Sequence, residues 1–366
     1  MNTRKTTELS LLGLIGAFLF GLTACSPDVS VESSTVEFSA LTGKVTSQQE
    51  DAMEGVIVSA KREGSMMTVS VVSNAQGQYS FPKDRLQPGT YTLSMRAVGY
   101  DLTNPGTVEL TAESAQLDLQ LTTTRQLSAQ LTNTEWMISA PGSFEEKQYL
   151  DDCTMCHTLQ RPLNSKYEAG DMTKVVQRMS AHTLNSTVEH PHFKTAMPEM
   201  ISQPPSAEQI DKGRYISSIN LSSADNWPFP LQTLPRPTGK ATQVIMTTYE
   251  LPRPDAAPHD AVLGPDGYIW YNDFVTPYIG KMDPKTGEVT EYDIPVQKPG
   301  YAVGSHALDF DDEGLIYASG MHQGYVARLD PKTEEVEAFL FPHWNVDGAT
   351  NDARVTVLDP RGNSVN

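Results

Sequence analysis

Apolar and polar positions alternate along the 366 residues in five successive regimes. Arg4 and Lys5 precede an apolar run from Leu11 to Leu22, short for a membrane span and of the length of a secretory signal core. Residues 26–37, rich in Ser, Val and acidic side chains, have no helical period and read as a tether. From Phe38 to about Thr123 the period is two, which predicts strands over Leu41–Thr46, Gly55–Lys61, Met67–Ser73, Tyr79–Pro82, Thr90–Ala97 and Val108–Leu121. Turn residues Asn74-Ala75-Gln76-Gly77 and Gln87-Pro88-Gly89 separate them, as in a small antiparallel sandwich. Tyr79, Phe81, Tyr91 and Tyr100 fall at inward-facing or turn-anchoring positions, so core packing accounts for them better than a sugar-binding platform.

Over 124–225 the period changes to that of helices. Ser143 caps one that carries Glu145 and Glu146 in its first turn and runs into Cys153. Asp171–His182 is a second, with Val175, Val176 and Met179 on one face, and the capping box Ser206-Ala207-Glu208-Gln209 opens a third through Ile210, Tyr215 and Ile216 toward Leu221. Over 240–366 the pattern repeats. Gly264-Pro265-Asp266-Gly267-Tyr268-Ile269-Trp270, Asp311-Asp312-Glu313-Gly314-Leu315-Ile316-Tyr317 and Asp359-Pro360-Arg361-Gly362 recur at 47 and 48 residues. Each of the first two leads into a strand pair, Ile279–Met282 with Val289–Ile294 and Val326–Leu329 with Val336–Phe341, joined through Asp283-Pro284-Lys285-Thr286-Gly287 and Asp330-Pro331-Lys332-Thr333-Glu334. Four short strands per period predict β-propeller blades, a little over two of them where at least four are needed to close. Thr247-Tyr249-Leu251-Pro252 matches the last strand of such a blade and is expected to complete one from the far end of the circle.

The chemistry is concentrated in Cys153-Thr154-Met155-Cys156-His157. In a CxxCH pentapeptide each thiol can add across a vinyl group of haem while the imidazole takes one axial position on iron, so one covalent haem c is expected. A mixed zinc site with His182, His190 or His192 is the competing reading. Residues 124–225 resemble a single-haem cytochrome c, which implies a sixth iron ligand from between the cysteine-bearing helix and the third: Met197, followed by Pro198 and 40 residues after His157, with Met179 and Met200 as rivals. His182, His190 or His192 would instead give a bis-histidine haem of lower potential. The third cysteine, Cys25, closes Leu22-Thr23-Ala24-Cys25 and leaves no thiol for a disulfide.

Four resemblances follow from these residues. Leu22–Cys25 resembles the lipobox of bacterial lipoproteins, which implies lipidation of Cys25, cleavage after residue 24 and a membrane anchor on the periplasmic side of the cell envelope, with Ser26 favouring the outer membrane. An ordinary signal peptide cut after Ala24 is the alternative. Gly43-x-Val45, Gly55-Val56-x-Val58, Gly77-x-Tyr79-x-Phe81, Leu86-x-Pro88-Gly89-x-Tyr91 and Gly99-Tyr100 resemble the carboxypeptidase regulatory-like family, which implies a transthyretin-like sandwich with no catalysis of its own. The resemblance of residues 124–225 to a single-haem cytochrome c implies an all-α domain. The repeats resemble streptogramin lyase-like propellers, in which a histidine and an acidic metal-binding region on the top surface support elimination; here Pro258-His259-Asp260 and Ser305-His306-Ala307 stand at blade starts, and the family's catalytic set cannot be aligned to this chain.

The expected architecture is therefore multidomain: signal peptide 1–24, tether 25–37, all-β sandwich 38–123, all-α haem domain 124–225 and partial propeller 240–366. A formal charge of −18 disfavours nucleic acid and suits a basic redox protein partner, although it also serves solubility. The expected function is electron transfer by a membrane-anchored periplasmic c-type cytochrome. The alternatives are a haem-containing oxidoreductase or lyase with its active site on the propeller, and a non-enzymatic surface binding or sensing protein.

Overall fold

The computed structural model describes residues 39–103, 106–154, 157–181, 201–220, 227, 229–297, 299, 303–320 and 323–341, with the backbone of 357–358 and 364–365. The first part is a two-sheet sandwich. Its strands are β1 (Ser39–Ser47), β2 (Ile57–Arg62), β3 (Met67–Val72), β4 (Gln78–Pro82), β5 (Gly89–Arg96), β6 (Tyr100–Leu102), β7 (Thr107–Leu110), β8 (Ala115–Gln116) and β9 (Leu119–Thr123). One sheet runs β4-β1-β9-β6 with β8 also on β1; the other includes β3-β2-β5-β7. Alternation does what the period of two requires: Tyr79 and Phe81 of β4, Tyr91 and Leu93 of β5, and Leu119 and Leu121 of β9 point inward onto Leu41, Val45 and Val58. Burying each such side chain contributes about 1.5–3 kcal/mol.

Two strand expectations need correction here. Val108–Leu121 is not one strand but β7, β8 and β9, because the chain leaves one sheet after Leu110 and enters the other, where Leu117 offers its carbonyl to Tyr79 Oη and its amide to Thr42. Strand β10 (Met246–Tyr249), expected to close a propeller blade, instead pairs antiparallel with β3, Thr247 opposite Val69 and Tyr249 opposite Met67. The free edge of β3 has its nearest complement there, and the amide of Glu250 extends the ladder to the carbonyl of Met66 at 2.8 Å.

Helices follow. They are α1 (Asn133–Ser139), α2 (Phe144–Thr154), α3 (Gln160–Leu163), α4 (Ala169–Ser180) and α5 (Ala207–Ile219). Ser206 and Gln209 form the expected reciprocal cap of α5, and Ser143 with Glu146 does the same for α2. Helix α1 has its own capping box, Thr132 with Glu135. Leu150, Leu159, Leu163, Met172, Val176, Tyr215 and Ile216 share a core with Trp136. Ile210, expected on the apolar face of α5, is 38% exposed. Gly213 allows α4 and α5 to touch, since a Cβ there would meet Thr173 Oγ1 at 2.4 Å.

Residues 229–245 strap these helices to the sandwich. Leu234 donates its amide to Glu135 Oε1, and Arg236 donates to the carbonyl of Glu54 at 2.8 Å and to Glu50 Oε1 at 3.1 Å. Beyond β10 come two four-stranded antiparallel sheets: β11 (Pro258–Leu263), β12 (Ile269–Asp273), β13 (Tyr278–Met282) and β14 (Val289–Asp293), then β15 (Ser305–Phe310), β16 (Ile316–Gly320), β17 (Tyr325–Leu329) and β18 (Val336–Leu340). The meander order is that of blades, and the first of these strands begins at Pro258. Trp270, Ile279, Tyr292, Leu308, Ile316 and Tyr325 form the core that joins the sheets. A two-residue pair, β19 (Val357–Leu358) with β20 (Ser364–Val365), follows.

Candidate functional site

Helix α2 ends at Thr154, so Cys153 sits in its last turn, partly buried, with its sulfur 3.8 Å from the carbonyl of Tyr149. The chain turns immediately afterwards: the amide of His157 bonds the carbonyl of Cys153, and the amide of Leu159 is held by Asn133 Oδ1 at 2.9 Å. This second contact ties the segment to the start of α1, and His157 is buried, 8% exposed. His157 Nδ1 lies 3.1 Å from the carbonyl oxygen of Thr158. A carbonyl only accepts, so Nδ1 carries the proton and Nε2 carries the lone pair. Burial lowers the imidazole pKa from 6.5 and outweighs the opposing carbonyl contact, so the ring is neutral at neutral pH. A neutral imidazole with Nδ1–H on a backbone carbonyl and Nε2 available is the form that ligates a metal.

The donor chemistry therefore fits a haem held through Cys153 and His157. A second observation agrees: the indole Nε1 of Trp136, buried in the core that Cys153 packs against, has no hydrogen-bond partner among the described residues. A carboxylate-bearing group bound in that core would satisfy such a donor. Tyr215 of α5 lies against Tyr149 of α2 at 6.3 Å between ring centroids and donates to the carbonyl of Pro141, burial raising its pKa to about 12. An aromatic on the last helix thus crosses the cysteine-bearing one. Met179 sits on α4, partly buried. Cys25, Cys156, Met197, Met200, His182, His190 and His192 lie outside the described residues.

A second cluster stands at the blade starts. In both sheets the first strand bulges at its histidine: pairing jumps from Pro258–Asp273 to Ala261–Tyr271, and from Ser305–Gly320 to Leu308–Ala318. The side chain opposite each bulge takes the displaced amide, Asn272 Oδ1 that of Asp260 at 2.7 Å and Ser319 Oγ that of Ala307 at 3.0 Å. Bulges re-aim side chains. Here both bring their imidazoles to one place, with His259 and His306 4.3 Å apart between ring centroids and His259 stacked on Phe274 at 5.2 Å. Gly304, at φ +107°, makes the approach possible, because a Cβ would strike the carbonyl oxygen of Phe274 at 2.2 Å. His259 Nδ1 is 3.0 Å from Asp260 Oδ1. Asn272 Nδ2 of β12 and Ser305 Oγ of β15 are buried and have no hydrogen-bond partner among the described residues.

The strand that supplies Phe274 is itself held by Arg253. Its guanidinium bonds Glu291 Oε2 at 2.7 Å, Asp273 Oδ2 at 3.1 Å and Asp255 Oδ1 at 2.8 Å, over the face of Tyr278. Histidines 259 and 306 were visible as a repeat in the sequence; Phe274, Asn272 and Ser319 were not, since only the fold sets them beside the bulges.

Residues 40–122 match the model of the carboxypeptidase regulatory-like domain. No curated protein matches the chain. Among solved structures it is similar to catalytically inactive virginiamycin B lyase from Staphylococcus aureus with quinupristin, at 19% identity over 34% of this chain and 38% of that one, TM-score 0.27. It is also similar to selenomethionine-substituted virginiamycin B lyase from the same organism, at 24% identity over 28% and 32%, TM-score 0.24. A streptogramin B lyase structure matches at 22% identity over 28% and 32%, TM-score 0.24. The chain spans about a third of the length of these lyases. The N-terminal sandwich is a carboxypeptidase regulatory-like domain, followed by a helical segment and by two propeller-like sheets.

Proposed function

We propose that this chain is a membrane-anchored c-type haem protein of the periplasmic side of the cell envelope that passes electrons to a basic redox partner. The observation that carries the reading is His157 within the CxxCH pentapeptide: a buried, neutral imidazole whose Nδ1–H is spent on the Thr158 carbonyl and whose Nε2 is left for iron. Cys153 and Cys156 would hold the haem through thioethers. Met197 is the proposed second axial ligand, ahead of Met179 and Met200. When bound, the haem supplies a one-electron ferric/ferrous couple. The residues of the chain do the rest. His157 and a methionine thioether would ligate the iron, the apolar core around Leu150, Leu159 and Met172 would exclude water, and Cys25 would anchor the protein through its lipid. The sandwich contributes placement rather than chemistry.

The test is a reduced-minus-oxidised spectrum of purified protein with and without carbon monoxide. A closed carrier shows a six-coordinate spectrum that carbon monoxide does not change at neutral pH, and Met197→Ala opens the iron to it. A wild type that binds carbon monoxide freely would reject the carrier and move an enzymatic or sensing role ahead.

One observation favours a second reading, an enzyme whose acid–base chemistry lies on the propeller-like sheets: the pairing of His259 with Asp260 and with His306. Its check is elimination or oxidation of a substrate that is lost in His306→Gln while the haem spectrum stays unchanged.

A further inference from the structure

Asn272 and Ser305 bury polar atoms in the layer between the two propeller-like sheets, and strand register aims each at the other's sheet. Asn272 of β12 stands directly opposite Ile279, so both side chains leave the sheet on one face, and Ile279 belongs to the core that joins the sheets. Ser305 of β15 stands opposite Gly320, as Leu308 stands opposite Ala318 beyond the bulge. Gly320 and Ala318, two residues apart on β16, share a face, and Leu308 and Ala318 belong to the same joining core. The two polar side chains also lie at one end of that layer. Gly304, next to Ser305, rests on the backbone of residues 273 and 274, where a Cβ would meet the carbonyl oxygens of Phe274 at 2.2 Å and Asp273 at 3.0 Å. Both Asn272 and Ser305 are 0% exposed. The amide of Asp260 donates to Asn272 Oδ1 at 2.7 Å, which sets the orientation of the carboxamide and leaves Nδ2 purely a donor. Neither Nδ2 nor Ser305 Oγ has a hydrogen-bond partner among the described residues, and native cores rarely leave such groups unpaired.

We propose that Asn272 and Ser305 hold one internal water molecule that bridges the two propeller-like sheets. The water accepts from Asn272 Nδ2 and shares a second hydrogen bond with Ser305 Oγ, which can donate or accept. The chemistry of the pair selects water over an ion. A cation needs acceptors, and Nδ2 offers only protons. An anion needs a compensating charge, and the guanidinium that reaches β12, that of Arg253, is spent on Glu291, Asp273 and Asp255. Apolar groups flank the pair: Ile279 stands beside Asn272, and the Tyr325 ring covers Gly320, where a Cβ would meet it at 2.3 Å. Because Asn272 also holds the amide of Asp260, the bridge couples the bulge that aims His259 to the strand that bears His306. It rests on neither the haem nor the acid–base reading.

The test is a crystal structure of the full chain at a resolution that orders internal water, joined to oxygen-17 relaxation dispersion of the same protein in solution. One water is expected at hydrogen-bond distance, about 2.7–3.2 Å, from both Asn272 Nδ2 and Ser305 Oγ. In solution, Ser305→Val should hold one fewer long-lived water than the wild type, since its methyl groups fill the space with no polar atom. The crystal needs no variant, so it decides the matter even if Ser305→Val does not fold. A direct bond between Asn272 Nδ2 and Ser305 Oγ, a different molecule or ion between them, or no density there would overturn the proposal. An unchanged count of long-lived waters in folded Ser305→Val would overturn it as well.

Discussion

His157 shows how much a single side chain can carry. In the proposed haem site it would be an axial ligand; the fold supplies a Thr158 carbonyl that fixes the tautomer and a burial that lowers the pKa of the ring. His157→Ala should leave both thiols able to attach haem but convert the iron to a form that binds exogenous imidazole, checked by titrating the variant's spectrum with imidazole. A turn glycine gives a prediction of another kind. Gly287, at φ +76°, closes the 283–287 turn, and a Cβ there would approach Met67 Cγ to 2.8 Å. Gly287→Ala should therefore cost about 1–2 kcal/mol from backbone conformation alone, measured as a fall in the denaturation midpoint. At the equivalent position the second sheet places Glu334 at φ +62°, a strained backbone whose carboxylate accepts from Tyr292 Oη. Residue types at such positions were legible in the sequence, since Asp-Pro-Lys-Thr recurs with Gly or Glu after it. Their contacts were not, because Met67 lies 220 residues away.

Among elements, strands and helices with a clear period and a cap were the legible ones. Helix α5 begins at the capping box read from Ser206 and Gln209, and the eight strands of the two propeller-like sheets follow the repeat. Helix α1 was missed although Thr132-x-x-Glu135 is a capping box, because its 7 residues give too few turns for an apolar period. Strand β10 was assigned to the wrong sheet for a different reason: local pattern specifies a strand, but its partner is chosen by long-range geometry. Its new place carries its own prediction. Replacing Met246–Glu250 by a Gly/Ser segment of equal length should expose the outer edge of β3, so that the amides of Thr68 and Ser70 lose hydrogen-exchange protection while that of Val69, which faces β2, and those of β2 and β5 keep theirs. Unchanged protection would mean that β10 does not guard that edge.

At the scale of the whole molecule, residues 38–366 form one unit, in which the strap at 229–245 ties the helices to the sandwich and β10, paired on β3, donates from Tyr249 Oη to the carbonyl of Pro284 in the turn of the first propeller-like sheet. Two carboxylates hold it. Hydrogen bonding to Arg236 lowers the pKa of Glu50 against the opposing effect of burial, and for Glu135 burial is outweighed by the amides of Thr132 and Leu234, so its pKa is lowered too. A carboxylate lowered from 4.5 stabilises the fold above that pH and loses its contribution as pH falls through the folded value. Acidification below 4.5 should therefore release the strap. The Trp136–Trp227 pair, 4.7 Å between centroids and inclined at 54°, reports it as a fluorescence change that shifts to higher pH in Arg236→Ala.

The central claim concerns residues 153–157, and acid–acetone extraction of the purified protein tests it most directly. If Cys153 and Cys156 hold haem, the pigment stays with the polypeptide and a peptide spanning 153–157 carries the haem mass, while Cys153→Ala retains at most one thioether. Complete release of pigment into the solvent, with unmodified Cys153 and Cys156 in that peptide, would contradict the account.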